Sequence, residues 1–596
     1  MSSITDKAEG ELSANNTINT SSGHHNADVE AQTSQKKFFE GNAGDGTTVY
    51  DQYLTGYKFV LCFMSCLITM FLIGLDQTIV ITLLTTVGEK FNAYDKVGWI
   101  TSGYLLTMSV LAPTWGRISI TFGRKYSILC AVVLFEVGSL ITALANSMNM
   151  LIGGRVLSGI GGGGIQSLAF IIASEMVPIH RRAVIFAFFG LTFALSSVAG
   201  PLVGGAFTEH VTWRWCFYIN LPLGGISFLA LSCFFNPPKA KGTLKEKLKS
   251  IDYVGNILLI IAVLFFLLAI SLGGVNFPWR SGAVISLFVL SGVIAVLFFV
   301  WNFRYSKLPV LPMNLFTTLG VSIPVATLFL SFFCFMGISV YLSTYFQIVN
   351  NADAMQTGLH LLPILISIIV GSISTGILMK STRHIKPFAI FGGVAGSVGL
   401  GTLTLLNQNS SRADKIGLLI LPGISIGVLL QTGMMSAQLN APKSESSTIL
   451  ATSFFNFARS LGGAIGANMA QTIFNSSYKS IVAKNLHELN GKITREQVLS
   501  VTASPAFLKS LDKETRDLVI SWIMSAVRNV FITSASLMCF SSLLTVFYSN
   551  KRIPAKEEVM SKEEYEAQQG QAQEQSQAEG EGEAQGEAQE EAKAEN

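Results

Sequence analysis

The ten residues Gly-Arg-Ile-Ser-Ile-Thr-Phe-Gly-Arg-Lys, at positions 116–125, join two long apolar runs of the chain. The runs cover residues 97–115 and 126–145. Each is close to the twenty or so residues that a helix needs to cross about 30 Å of hydrocarbon. Short, basic connections between spanning helices are typical of the cytoplasmic side of a membrane. This stretch therefore predicts a chain that crosses a membrane repeatedly.

Further apolar runs of similar length lie on either side of this pair. Of the 596 residues, 50% are hydrophobic and 13% are charged, with a mean hydropathy of +0.48. A soluble domain carries about a quarter charged residues. We therefore predict an all-α membrane protein with fourteen transmembrane helices. The other runs lie near 57–83, 149–174, 183–205, 216–235, 253–273, 281–301, 319–342, 357–379, 386–405, 415–436, 448–474 and 528–547.

The distribution of Lys and Arg over the short loops predicts the orientation. With the N-terminus in the cytoplasm, the short inner loops hold sixteen basic residues and the short outer loops hold six. An excess of this kind marks the cytoplasmic side. An even number of spans then places the C-terminus in the cytoplasm as well.

The segments outside the spans are polar. Residues 1–55 contain no apolar run and are expected to form a disordered cytoplasmic segment, and residues 549–596 an acidic, low-complexity cytoplasmic tail. Residues 475–527 are expected to form an outer loop with amphipathic helices. Two glycosylation sequons, at Asn409 and Asn475, fall on the predicted outer side.

Several functional classes have no support in the sequence. The chain lacks the G-x-x-x-x-G-K-[ST] phosphate loop, so we expect a process driven by an ion gradient, with no cofactor. The seven histidines never pair within one span, which argues against an embedded metalloenzyme. The net charge of +4 is small and the basic residues lie in short loops, so no nucleic-acid partner is expected.

Charged residues inside the predicted spans are few. Asp76 lies in the first span, Glu136 in the third, Arg155 in the fourth and Arg459 in the thirteenth. An ionisable side chain is costly in hydrocarbon, so each of these needs a reason. A carboxylate that exchanges a proton for a cationic partner would couple protons to a conformational change. A permanent structural ion pair, such as Asp76 with Arg155, is the alternative.

Glycine and proline interrupt two of the spans. In the fifth, Gly200-Pro201 is followed by Gly204-Gly205, a pattern that breaks the helical hydrogen bonding and lets a neighbouring helix approach closely. In the thirteenth, glycines follow Arg459 as they follow Arg155 in the fourth. The parallel suggests an internal duplication, which is common in transporters.

These motifs together resemble the major facilitator superfamily, and within it the fourteen-helix drug:proton antiporters of fungi. The loop 116–125 resembles the signature between helices 2 and 3, and Leu75-Asp76-Gln77-Thr78-Ile79-Val80 resembles the helix 1 motif. Arg155 with Gly159 resembles the helix 4 motif, and Gly200-Pro201-x-x-Gly204-Gly205 the antiporter motif of helix 5. The stretch 212–222 resembles one that is typical of the fourteen-helix branch. One departure is Ile120, which stands where the loop signature usually has an acidic residue.

The resemblance implies two six-helix bundles, residues 56–235 and 318–548, with two extra helices inserted in the linker 236–317. The helix 4 motif implies proton coupling through Arg155, and the charges inside the spans extend this expectation to Asp76, Glu136 and Arg459. The resemblance also implies a substrate site near the midplane of the membrane. Gln77, Gln166 and Asn456 would line that site. The gating motifs would comprise Gly116, Gly123, Arg124, Lys125, Gly200, Pro201, Gly204 and Gly205.

The resemblance also bounds the activity. It implies a monomeric, non-enzymatic antiporter that exports drugs or other amphipathic or cationic small molecules across the plasma membrane in exchange for protons. The detailed sequence of these motifs most resembles that of azole- and dye-resistance pumps and of vacuolar basic amino acid permeases. Uptake of basic amino acids into the vacuole is therefore an alternative. A transport-inactive nutrient sensor and an embedded enzyme are weaker alternatives.

Overall fold

The computed structural model describes most of the chain between residues 49 and 559. The residues described are 49–559 except 94–95, 241, 275–276, 351, 353, 445, 490–492, 501–507 and 509–510, together with 563, 564 and 567. Residues 1–48 of the predicted disordered segment 1–55, and most of the acidic tail, lie outside these residues. Near the end of that segment, Val49–Gln52 form a short 3₁₀-helix, which differs from the prediction. All helices named below belong to one compact unit, Glu40–Lys556.

Fourteen long helices run through the described residues, and each corresponds to one predicted apolar run. Twelve of them are apolar and long enough to cross a membrane on composition alone. The other two, α2 and α13, are less apolar and pack against each other where the two halves of the protein meet. The fourteen are α1 Gly56–Ile79, α2 Gly98–Phe122, α3 Arg124–Ala143, α4 Met148–Glu175, α5 Ile179–His210, α6 Trp215–Phe234, α7 Tyr253–Leu272, α8 Gly282–Tyr305, α9 Leu319–Val349, α10 Gln356–Thr382, α11 Lys386–Leu405, α12 Arg412–Leu439, α13 Ser447–Asn485 and α14 Lys513–Thr545.

The segment 475–527 differs from the expected outer loop. Helix α13 continues to Asn485 and α14 begins at Lys513, so both ends of the segment are continuations of spanning helices. Between them, the described residues form the short helices Leu486–Leu489 and Arg495–Ser500. The residues that follow the apolar run of α13 still favour a helix, because the sequence beyond residue 474 contains no glycine or proline before Asn485.

The helices form two bundles with the same internal arrangement. In the first bundle, α4 packs on α2 and α3, whereas α5 and α6 pack on α1. In the second, α12 packs on α10 and α11, whereas α13 and α14 pack on α9. Helix α12 is therefore the counterpart of α4, and α13 is the counterpart of α5. The predicted parallel between Arg155 on α4 and Arg459 on α13 is wrong, because these two helices are not equivalent.

The duplication is visible instead in a pair of glycine contacts. A Cβ atom on Gly200 or Gly204 of α5 would overlap the side chains of Thr78 and Thr82, at the end of α1. On the equivalent helix α13, a Cβ atom on Gly462 or Gly466 would overlap backbone atoms of α9. Glycine thus lets the first and fifth helices of each bundle approach closely.

The two bundles meet along two helix pairs, α2 with α13 and α5 with α10. The two pairs are equivalent under the duplication, because α10 is the counterpart of α2 and α13 is the counterpart of α5. The inserted helix α7 packs against both α2 and α13, with Leu267 and Ile270 in an apolar cluster with Val110 and Ile465. Helix α8 packs mainly on α7 and leaves much of its apolar surface exposed, as expected for a helix in contact with lipid.

The glycine contacts predict a difference between two residues of one motif. Gly200→Ala places a methyl group against Thr78 and the backbone of Ile79, whereas a Cβ atom on Gly205 meets no atom within 4 Å. We expect Gly200→Ala to destabilise the protein by about 1–3 kcal/mol through overpacking. Gly205→Ala, the matched control, should leave the melting temperature of the detergent-purified protein unchanged. Equal melting temperatures for the two variants would contradict the close α1–α5 contact.

Candidate functional site

The core of the first bundle contains a buried ion pair between α1 and α4. Arg155 Nη1 donates to Asp76 Oδ2 at 2.6 Å, and the two side chains are 1% and 0% exposed. Arg155 Nε also donates to the carbonyl oxygen of Ile100, at 3.2 Å. The guanidinium lies over the ring of Tyr104, 4.2 Å from its centroid. Two residues predicted to act in proton coupling are therefore direct partners.

Asn220, near the start of α6, extends this cluster. Its Nδ2 lies 3.3 Å from Asp76 Oδ1 and 3.1 Å from Ser139 Oγ, so one amide links α1, α3 and α6. Asn220 belongs to the stretch 212–222, but the sequence alone predicts no role for its side chain. The available signal was a lone amide side chain inside an apolar run, since a buried polar group needs hydrogen-bond partners.

Glu136 lies one helical turn from Ser139 on α3. It packs against α6 at Gly224, one turn from Asn220, where a Cβ atom would overlap its carboxyl group. Both carboxyl oxygens are buried and form no hydrogen bond with any of the described residues. An ionised carboxylate without a partner is costly in a low-dielectric interior. Asn220 thus lies between one paired carboxylate, Asp76, and one carboxylate without a hydrogen-bond partner among the described residues, Glu136.

Arg459 lies at the junction of the two bundles, apart from this cluster. Its guanidinium contacts Gln166 on α4. With the amide oriented so that its oxygen faces the guanidinium, Oε1 accepts from Nη2 at 2.6 Å and from Nε at 3.2 Å. Gln166 and Arg155 are eleven residues apart on α4, a separation of about 16 Å along the helix axis. The four charged residues predicted for proton coupling therefore belong to two sites.

The three residues predicted to bind substrate are likewise divided. Gln77 follows Asp76 on α1, and its Nε2 lies 3.4 Å from Met108 Sδ. Gln166 contacts Arg459. Asn456 is buried one turn from Arg459 on α13, with Nδ2 donating to the carbonyl oxygen of Thr452 and Oδ1 forming no hydrogen bond.

The loop motif between α2 and α3 ties helices of the first bundle together. Gly123 ends α2 and precedes α3 with φ +90, a conformation that favours glycine. Arg124 forms a bidentate, buried ion pair with Glu175 at the end of α4, at 2.9 and 2.8 Å. The loop signature usually has an acidic residue at the position of Ile120. In this chain Arg124 has an acidic partner from another helix, Glu175. Lys125 Nζ donates to the carbonyl oxygen of Ser232, at 2.6 Å.

The remaining predicted residues occupy helix contacts or surface positions. A Cβ atom on Gly116 would overlap Ser453 of α13, at the junction of the bundles. Pro201 lies opposite Gly358 of α10, at the same junction. Asn409 is exposed between α11 and α12, and Asn475 is half-buried within α13. Glycosylation at either position stays a prediction.

The fold and the buried charges define the class of protein. Two equivalent six-helix bundles that meet along two helix pairs, with buried charges inside one bundle and at the junction, are the architecture of a secondary transporter. The predicted all-α membrane fold, with two bundles and two inserted helices, is confirmed, and the chain is a multi-pass membrane protein.

Comparison with known proteins identifies the family. The sequence profile of the Major Facilitator Superfamily matches residues 66–467, and the chain belongs to this superfamily. It is 33% identical to vacuolar basic amino acid transporter 5 of Saccharomyces cerevisiae, over 84% of this chain and 93% of that protein. It is also 33% identical to azole resistance protein 1 of the same yeast, over 86% of this chain and 91% of that protein.

Further similarity supports the same class. The efflux pump aflT of Aspergillus parasiticus is 31% identical, over 82% of this chain and 95% of that protein. The crystal structure of the human organic anion transporter MFSD10 has the same fold, with a TM-score of 0.53 and 14% identity over 82% of this chain and all of that one. The predicted membership of the superfamily and likeness to fungal efflux proteins are confirmed, and the chain is a transporter and not an enzyme.

The Asp76–Arg155 pair generates a prediction about stability. Arg155→Met leaves Asp76 buried without its cation and should cost about 3–5 kcal/mol of folding free energy. Adding Asp76→Asn to that variant removes the uncompensated charge and should restore part of the loss. A double-mutant cycle on the melting temperature of the purified protein measures this coupling. Additive effects of the two substitutions would contradict a direct, energetically important ion pair.

Proposed function

We propose that this protein exports amphipathic small molecules from the cytosol in exchange for protons. The observation that carries the proposal is the difference between two carboxylates near Asn220. Asp76 has a cationic partner, whereas Glu136 has no hydrogen-bond partner among the described residues. A proton-coupled transporter needs an acidic group whose proton occupancy changes with conformation. Export is supported by the likeness to azole resistance protein 1 and to the efflux pump aflT.

The geometry suggests a division of roles. Glu136 carries the exchanged proton, because neither a cation nor a hydrogen-bond donor stabilises its charged form in this arrangement. Asp76 and Arg155 fix α1 against α4, and the Asn220 amide connects that pair to Ser139, one turn from Glu136. A change in the charge of Glu136 would alter the packing of α3 against α6, and through Asn220 the position of α1.

The available driving force is sufficient for efflux. One proton falling through 100 mV releases about 2.3 kcal/mol, and one pH unit adds about 1.4 kcal/mol. One proton per substrate would thus support a concentration ratio of several hundred-fold for a substrate that carries no net charge.

Uptake of basic amino acids into the vacuole is the second candidate. It is favoured by the likeness to vacuolar basic amino acid transporter 5, whose identity of 33% equals that of azole resistance protein 1. The same antiport chemistry serves both candidates, because the lumen of the vacuole and the outside of the cell both lie across a membrane from the cytosol. We place the export function at the plasma membrane, with both termini in the cytoplasm.

Transport by the purified protein in sealed proteoliposomes tests the coupling. With a proton gradient imposed, we expect accumulation of a fluorescent amphipathic dye that collapses when a protonophore is added. Glu136→Gln should reduce this accumulation, a loss on the order of a hundredfold where one proton drives each cycle. It should still allow exchange of labelled for unlabelled dye in the absence of a gradient, because the substituted group only carries the proton.

The matched control is Glu89→Gln, since Glu89 is exposed in the short helix Leu84–Phe91. It should accumulate dye as the parent does. Gradient-driven accumulation that persists in Glu136→Gln would contradict the role of Glu136. Movement of labelled lysine but not of the dye would assign the vacuolar function instead.

A further inference from the structure

Arg459 is a buried cation at the place where four helices of both bundles meet. The side chain extends from α13, and its guanidinium carbon lies 5.1 Å from the ring centroid of Phe332 on α9. The rings of Phe193 on α5 and Phe170 on α4 lie at 5.8 and 6.0 Å. Gln166 completes the surroundings with its amide oxygen. Arg459 is 8% exposed.

This cation has no counter-charge among the residues that the structure describes. Two buried ion pairs of the described residues join Arg124 to Glu175 and Arg155 to Asp76, whereas Arg459 forms no ion pair with any described carboxylate. One neutral amide oxygen and three ring faces stabilise a guanidinium in part only. A fully charged side chain is otherwise rarely retained inside a membrane protein without a partner or a function.

The position of Arg459 at the junction of the two bundles favours a role in ligand binding over a purely structural role. Gln166, Phe170 and Phe193 belong to the first bundle, whereas Arg459 and Phe332 belong to the second. Alternating access requires the two bundles to move relative to each other around a central site. The contacts that stabilise the guanidinium therefore cross the junction that opens during transport. A movement that separates the bundles would take these contacts away from the guanidinium and leave it able to accept a new partner.

We propose that Arg459 and Gln166 form a binding subsite for an anionic group of the substrate, with an organic carboxylate as the chemical class. The inference rests on the proposed export function and narrows its substrate. A guanidinium offers two parallel N–H donors that match the two oxygens of a carboxylate. The rings of Phe170, Phe193 and Phe332 form an apolar surface for the body of the same molecule. The exported substrate is thus an amphipathic monocarboxylate.

The neighbouring residues fit this class. Asn456 lies one turn from Arg459 with a buried oxygen that lacks a hydrogen bond, so it can accept from a hydroxyl or amide group of the ligand. The groups named around the guanidinium include no carboxylate that would bind an ammonium group. A cationic substrate at this position would be repelled by Arg459.

The charge of the substrate has a measurable electrical consequence. Exchange of a monoanion leaving the cell for a proton entering moves two charges inward, whereas exchange of a monocation for a proton moves none. Each charge moved across 100 mV changes the attainable gradient about 50-fold. A monocarboxylate substrate therefore predicts strong dependence of transport on membrane potential, and a monocationic substrate predicts none.

Three probes with the same phenylbutyl body test the proposal: 4-phenylbutyrate, 4-phenylbutylamine and 4-phenylbutanol. Binding to the full-length, detergent-purified protein is measured calorimetrically at about pH 7, where the acid and the amine are both ionised. We expect 4-phenylbutyrate to bind most tightly. Arg459→Gln should weaken its binding on the order of tenfold to a hundredfold, the loss of one charge-assisted interaction. Arg459→Lys, which keeps the charge, should retain part of the affinity.

The alcohol serves as the internal control for folding. Its affinity should change much less than that of the acid in both Arg459 variants, because a hydroxyl group can lose only a neutral-acceptor hydrogen bond from the guanidinium. Tighter binding of the amine than of the acid would overturn the proposal, as would equal binding of the acid to the parent and Arg459→Gln. Absence of any Arg459-dependent preference for the acid counts against the subsite in the same way.

Transport of labelled 4-phenylbutyrate separates this inference from the proposed function. Proteoliposomes are energised either with a pH gradient or with a potassium diffusion potential. We expect both gradients to drive transport. Arg459-dependent binding without any proton-driven transport would support the subsite and contradict antiport. Proton-driven transport that is insensitive to membrane potential would support antiport and contradict an anionic substrate.

Discussion

The absence of hydrogen-bonding partners in hydrocarbon is the constraint on which this structure depends. A polar group within the spans is costly unless it finds a partner inside the protein, and the ion pair of Asp76 with Arg155 shows how such a partner is provided. Its partners come from α1 and α4, the backbone of α2, and Asn220 on α6, so one charge pair fixes most of the first bundle. The Arg124–Glu175 pair does the same between the ends of α3 and α4.

Close contact between helix backbones is the second interaction that stabilises each bundle. Lipid tails are as apolar as leucine, so helices in a membrane associate through close contact and not through the exclusion of water. The glycines of α5 and α13 provide that contact in equivalent positions of the two bundles, against α1 and α9. Each bundle is therefore closely packed internally, while the pairs α2–α13 and α5–α10 form the surfaces along which the bundles meet.

The buried charges divide into two sites that differ in chemistry. The site in the first bundle contains carboxylates and suits proton transfer, and the Arg459 site at the junction contains a cation among aromatic rings and suits binding. With a separation of about 16 Å along α4, the two sites are too far apart for direct contact. Coupling between them would act through α4, which carries both Arg155 and Gln166, and whose glycines pack directly on α2 and α3.

The sequence by itself determined the fold class and the position of every spanning helix, because apolar runs of about twenty residues have few alternatives in a bilayer. It also marked Asp76, Arg155, Glu136 and Arg459, since intramembrane charges stand out in an apolar background. The end of α13 was misplaced because hydropathy reports where lipid ends and not where the helix ends. Only the tertiary structure decided which charges are partners. Among the described residues, Glu136 and Arg459 have no oppositely charged partner, Asn220 joins the first cluster, and α13 is the counterpart of α5 and not of α4. Partners come from helices far apart in the chain, and a local pattern contains no information about which helices meet.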